Sequence, residues 1–109
     1  MHILVVDDEP LNRFLIIHML EQEGYDSISE ACDGEAALMV AEQVSPDIVL
    51  LDIVMPGMSG YEVAPKLKAL AGDLYLPVIF ITAHGDQHSI TKALESGGDD
   101  FLAKPFLRE

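Results

Sequence analysis

Six residues in the middle of the chain, Asp47-Ile48-Val49-Leu50-Leu51-Asp52, place an unbroken apolar run between two carboxylates. A run of that length with a β-branched and leucine-rich middle predicts a strand buried on both faces. His2-Ile3-Leu4-Val5-Val6 and Pro77-Val78-Ile79-Phe80-Ile81-Thr82 read the same way. Ser27 to Ala31 alternates polar and apolar positions, which predicts an edge strand. Asp100-Phe101-Leu102-Ala103 predicts a short last strand.

Between these runs the apolar period lengthens to that of a helix. From about Pro10 to Glu23 the stripe is Leu11, Phe14, Leu15 and Met19, with Pro10 as a first helical residue and Gly24 as the stop. Asp33 is placed to cap a second helix, whose Ala37, Val40, Ala41 and Val44 share a face that ends at Ser45-Pro46. Ser59-Gly60 carries turn and cap chemistry and opens a third helix with Val63, Leu67 and Leu70 inward, closed by Gly72-Asp73. Pro65 removes one hydrogen bond from that helix and should bend it. A fourth helix, about Asp86 to Ser96, shows Ile90, Ala93 and Leu94 at helical spacing before Gly97-Gly98.

Strands and helices alternate along the whole chain, and no linker or repeat interrupts them. The expectation is one α/β domain over residues 1–109, a doubly wound parallel sheet with right-handed crossovers and helices on both faces. A fifth helix would be expected after Pro105, over the face that the first helix shares, and the sequence reaches only its first turn. The final helix therefore reads as truncated or missing: the chain is the N-terminal part of a longer protein or a fragment, or a partner covers that face.

Composition narrows the partners. Of 109 residues, 50% are hydrophobic, enough for one core. The single cysteine, Cys32, rules out a disulfide within the chain; it reads as a small buried filler in a reduced, cytoplasmic setting. No signal peptide or membrane-spanning run is legible. Six Lys and Arg against nineteen Asp and Glu give a net charge of −13. That argues against direct binding of nucleic acid and suits a metal cation or a basic protein surface.

In a doubly wound sheet, function gathers at the carboxyl ends of the strands. Here the first strand ends in Asp7-Asp8, the third in Asp52, the fourth in Thr82 and the fifth at Lys104. If the strand order is 2-1-3-4-5, the first and third strands are neighbours and the aspartates converge, with Thr82 and Lys104 on the other side of Asp52. Three carboxylates in one cleft repel each other and call for a cation. All-oxygen ligands suit Mg2+, with Mn2+ as an alternative. Lysine and threonine hydroxyl beside them can hold an anionic group, so the set is equipped for phosphoryl transfer with Asp52 as nucleophile.

Four ordered motifs carry a resemblance. Val5-Val6-Asp7-Asp8-Glu9-Pro10, the run from Asp52 through Met55-Pro56-Gly57-Met58-Ser59-Gly60, Ile81-Thr82-Ala83, and Asp100 through Lys104-Pro105-Phe106 resemble the receiver domain of two-component response regulators. The resemblance covers essentially the whole chain and implies a flavodoxin-like five-stranded sheet in the order 2-1-3-4-5. It implies that Asp52 is the phosphoacceptor. Asp8 and Asp52 would be direct Mg2+ ligands, the backbone carbonyl of Val54 a third, and Asp7 would act mainly through water. Lys104 would contact the phosphoryl group, with Lys104-Pro105 a cis peptide. Thr82 would be the switch hydroxyl and Phe101 the aromatic switch residue. The implied donor is a phosphohistidine on a sensor histidine kinase or a histidine phosphotransfer protein, and a homodimer is a further implied partner state. The domain would assist its own phosphorylation and slow loss of phosphate without being an enzyme in the ordinary sense.

The resemblance implies that Val54, two residues after Asp52, and His84, two after Thr82, flank the water that hydrolyses the phosphoryl group, and the apolar Val54 cannot orient it. A long-lived phosphoryl state is the expectation. Val54 also argues against a phosphohydrolase with an aspartyl nucleophile, which needs an acid there. The intact Asp7, Asp8, Asp52, Thr82 and Lys104 set argues against a binding module without turnover. Asp7-Asp8-Glu9-Pro10 would repel the phosphate of a flavin. His84 and His88 lack the further ligands of a zinc site, and His18 reads as a helix-surface residue.

Overall fold

In a computed structural model of the chain, residues 1–82 and 100–103 are described, the last four and Thr82 by their backbone alone. The elements run β1 (Ile3–Val6), α1 (Pro10–Gln22), β2 (Ile28–Ala31), α2 (Gly34–Val44), β3 (Ile48–Asp52), α3 (Gly60–Ala71), β4 (Val78–Thr82) and β5 (Asp100–Ala103). The expected fourth helix and the start of a fifth fall outside the described residues. The strands form one parallel sheet in the order β2-β1-β3-β4-β5, the order the resemblance implied, with β2 at an edge.

Side chains of a strand alternate between faces, so each apolar run feeds two cores. Leu4, Val6, Val49, Leu51, Val78 and Phe80 point to the layer of α2 and α3, where Ala37, Ala41, Val63, Ala64 and Leu67 meet them. Ile3, Val5, Leu50 and Ile81 point the other way and meet Ile16 of α1. Gly34 opens α2 against α3: a Cβ there would lie 2.6 Å from Val63 Cγ2, so the two helices approach closely only because residue 34 has no side chain. Asp33 caps α2 as the sequence predicts, its Oδ1 accepting from the Ala36 amide at 2.8 Å.

Three expectations are overturned. The stripe Leu11, Phe14 and Leu15 of α1 is exposed, and the helix turns Ile16 inward with Ile17 and Leu20 beside it. In α3 Leu70 is 47% exposed, and the small Ala64 takes the inward place next to Val63 and Leu67. Small residues let a helix lie close to a sheet, so the shorter side chain wins the buried position. Cys32 is exposed rather than a buried filler, because it leaves β2 in the turn before Asp33. The helix α3 continues through Pro65, which lies on its exposed side.

The sheet is stitched at the start of its first strand as well. His2 and Asp47 exchange bonds: the His2 amide donates to Asp47 Oδ2 at 2.6 Å and the Asp47 amide to the His2 carbonyl at 2.8 Å. The His2 ring nitrogens meet Ser27 Oγ at 3.0 Å and Ser29 Oγ at 2.7 Å. One residue before β1 thus ties β1 to both β2 and β3, and the acids stand at the opposite ends of β1 and β3.

Candidate functional site

Parallel pairing places Val6 beside Leu51, and each strand then delivers its acid at the same level of the sheet. Asp7 follows β1 directly, and Asp52 is the last residue of β3. One carboxylate oxygen from each of Asp7, Asp8 and Asp52 lies within 4.8 Å of the others. Asp7 is fully buried and Asp52 is 5% exposed, while Asp8 is half-buried at the rim. Carboxylates drawn out of water and toward one another are costly unless paired or bound to a metal. A rigid, all-oxygen donor set with one open side fits a small hard dication such as Mg2+.

Local structure holds each acid. The Asp7 amide donates to the Ala31 carbonyl at 3.2 Å, and its Oδ1 accepts from the Glu9 amide at 2.9 Å. That turn leaves Asp8 at its outer corner. Beyond Asp52 the chain stays tied to the sheet, since the Ile53 amide donates to the Ile81 carbonyl at 3.2 Å. The Gly60 amide then donates to the Ile53 carbonyl at 2.8 Å. A Cβ on Gly60 would collide with the Asp52 carbonyl and would sit 2.8 Å from Ile53 Cα, so glycine is required at this approach. Ser59 and Glu62 form a capping box that fixes the start of α3 beside the site. Ile53 and Met55 are buried, and between them Val54 is 63% exposed and turned to solvent. Its apolar side chain therefore stands at the open side of the loop that follows Asp52.

Thr82 ends β4 one position beyond Ile81, the neighbour of Asp52, and opposite Ala103 of β5. The backbone of Phe101 pairs with Phe80. The side chains of Thr82 and Phe101 lie outside the described residues, as do Lys104, Pro105, His84 and His88. His18 is exposed on α1, stacked on Phe14 with ring centroids 6.1 Å apart. A groove of about 350 Å³ lies at the other end of the domain, between the ends of α2 and α3, lined by Ala41, Leu67, Ala71 and Leu76. It contains none of the three acids, so the site is an open corner of the sheet rather than that groove.

Sequence reading passed over one residue at the acids, Arg13. Its guanidinium reaches the Asp7 carbonyl from α1. The signal was present in composition: the chain has six Lys and Arg, and one of them stands four residues after Glu9 on the helix that opens beside the acids.

Comparison with known proteins agrees with this geometry. The family model described as "Response regulator receiver domain" matches residues 3–109. The chain is 40% identical over 104 residues to the DNA-binding response regulator MtrA of Mycolicibacterium smegmatis, covering 95% of this chain and 44% of that protein. It is 46% identical over 103 residues to the response regulator PleD of Caulobacter vibrioides, covering 94% of this chain and 22% of that protein. The chain thus spans less than half the length of these relatives. Among solved structures, the CheX–CheY–BeF3–Mg2+ complex of Borrelia burgdorferi holds a chain that superposes with a TM-score of 0.88 at 30% identity, covering 98% of this chain and 80% of that one.

Proposed function

This chain belongs to the response regulator receiver domain family, a phosphorylation-dependent signalling switch, and from that premise we propose which of its residues carry the switch. The observation that carries the reading is the convergence of Asp7, Asp8 and Asp52 at neighbouring strand ends. Asp52 is the phosphoacceptor. One of its carboxylate oxygens attacks phosphorus, the phosphorus–nitrogen bond of a donor phosphohistidine breaks as the new bond forms, and the imidazole leaves. Asp8 and Asp52 hold Mg2+, or Mn2+, directly, Asp7 acts through water, and the Val54 carbonyl completes the protein ligands. The bound dication supplies charge neutralisation for the transferring group.

Lys104 contacts the phosphoryl oxygens across the site, and Thr82 donates its hydroxyl to the same group. Phe101 would turn inward as Thr82 moves, and the resemblance implies a cis peptide at Lys104-Pro105. The added negative charge shifts an existing balance between two packings of the surface around the fourth helix and the last strand. The donor is a sensor histidine kinase or a histidine phosphotransfer protein, and the phosphorylated form has a homodimer open to it. Loss of phosphate is slow and assisted by the domain itself. Residues 1–109 act as the receiver of a longer cytoplasmic regulator, and that reading is supported by the longer relatives it matches. Among the described residues no helix is long and apolar enough to cross a membrane. The charge of −13 speaks against direct nucleic-acid binding by this domain.

Intact mass after incubation with acetyl phosphate tests the proposal. A phosphoryl-sized gain that requires Mg2+ and vanishes in Asp52→Asn is expected. An equal gain in Asp52→Asn would move the acceptor to another residue, and no gain in the folded wild type would remove the phosphoacceptor reading.

A further inference from the structure

Arg13 belongs to none of the motifs used so far. Its side chain is 16% exposed, in the second turn of α1, and it makes two charge-assisted bonds. Nε donates to Glu30 Oε1 on β2 at 2.7 Å, and Nη1 donates to the main-chain carbonyl of Asp7 at 2.7 Å. The donors of a guanidinium are coplanar and rigidly spaced, so making both bonds sets where the Asp7 carbonyl stands relative to β2. Asp7 is also held locally: its amide donates to the Ala31 carbonyl and its Oδ1 accepts from the Glu9 amide. The start of α1 adds little anchoring of its own. Its N-cap, Glu9, makes no side-chain capping bond, and Pro10 at the first position has no amide hydrogen to give.

The turn held in this way carries two of the three carboxylates that crowd together. Their mutual repulsion acts to open the turn whenever no cation is present. A turn free to relax would spread the ligands, and part of the binding free energy of a cation would go into regathering them. We propose that Arg13 is a positioning residue for the divalent-cation site, which holds Asp7 and Asp8 beside Asp52 by clamping the Asp7 carbonyl to Glu30 of β2. The inference rests on the reading of the acids as a cation site, and it assigns to Arg13 no contact with the cation or the phosphoryl group.

The test is a Mg2+ titration of the full chain followed by the amide NMR shifts of Asp8, Ile53 and Val54, with thermal unfolding measured alongside. Arg13→Ala is expected to raise the Mg2+ Kd by about tenfold, the scale of a lost outer contact at a metal site. Arg13→Lys should recover part of that, because an ammonium can satisfy one acceptor but not the fork. Phosphorylation by acetyl phosphate should slow in Arg13→Ala at Mg2+ below the Kd, and the deficit should close at saturating Mg2+. A folded Arg13→Ala whose Kd stays within about twofold of wild type overturns the inference, as does a rate deficit that persists at saturating Mg2+. Should Arg13→Ala fail to fold, Arg13→Lys and Glu30→Gln decide: a weaker Kd in both supports the clamp, and wild-type affinity in either overturns it. A wild type whose three amides do not respond to Mg2+ would instead overturn the cation site itself, and the clamp with it.

Discussion

Gly60 approaches the main chain of Asp52 so closely that a methyl group would collide with the Asp52 carbonyl. The helix α3 therefore starts against the backbone of the residue assigned to accept phosphate, with the Gly60 amide bonded to the next carbonyl, that of Ile53. Gly60→Ala should force the loop away from β3. A loss of about 2 kcal/mol, of the size of an overpacked core site, is expected in urea unfolding. Acetyl phosphate labelling of Asp52 should fall with it, measured in conditions where the variant is folded. Unchanged stability would mean that the loop yields without strain.

The inward face of α3 gives a contrast within one helix. Leu67 is fully buried against the sheet and Leu70 is 47% exposed. Leu67→Ala should cost about 3 kcal/mol, through lost transfer and a residual cavity. Leu70→Ala should stay within about 0.5 kcal/mol of wild type. Chemical denaturation of the two variants checks this, and equal losses would contradict the face assigned to the helix.

The three acids should weaken the cation-free fold. Asp8→Asn removes one charge at the half-buried rim while leaving the bonds of Asp7 in place. Without Mg2+ it should be more stable than wild type by about 0.5–1 kcal/mol, the scale of a screened like-charge pair. Added Mg2+ should raise the melting temperature of wild type and barely move that of the variant. A variant less stable than wild type without Mg2+ would show that the repulsion is already compensated within the protein.

Val54 is exposed at the loop after Asp52 and offers water no hydrogen-bonding group. Val54→Asn adds an amide there and should speed phosphate loss by about tenfold or more, if that side chain orients the attacking water. The decay of phosphorylated protein after removal of donor, followed by intact mass, reports it. An unchanged lifetime would separate Val54 from hydrolysis.

The strands were legible because a strand buried on both faces needs no phase: every position of Ile48 to Leu51 is apolar, so no choice of face can be wrong. Asp33 was legible because a cap is local, decided within three residues of Ala36. The helix α1 was misjudged for the opposite reason. Two apolar stripes compete on it, Leu11-Phe14-Leu15 and Ile16-Ile17-Leu20, and only its height over the sheet decides between them. Leu70 was misjudged because hydrophobicity alone ranks it above Ala64, whereas close helix packing favours the smaller side chain. The Asp7, Asp8 and Asp52 convergence needed the strand order, which no periodicity contains and which the family resemblance supplied. The link from Arg13 to Asp7 and Glu30 spans separate elements, and a pattern read along the chain has no register for it.

Among the described residues, the edge strand β2 has only β1 beside it, so one row of its backbone amides and carbonyls has no strand partner there. It is four residues long, and its outward Glu30 carries a charge already locked to Arg13. An incoming strand would have to lie along that carboxylate and find few bonds beyond it. The same short, charged border that anchors the acid turn therefore also discourages strand addition at this edge of the sheet.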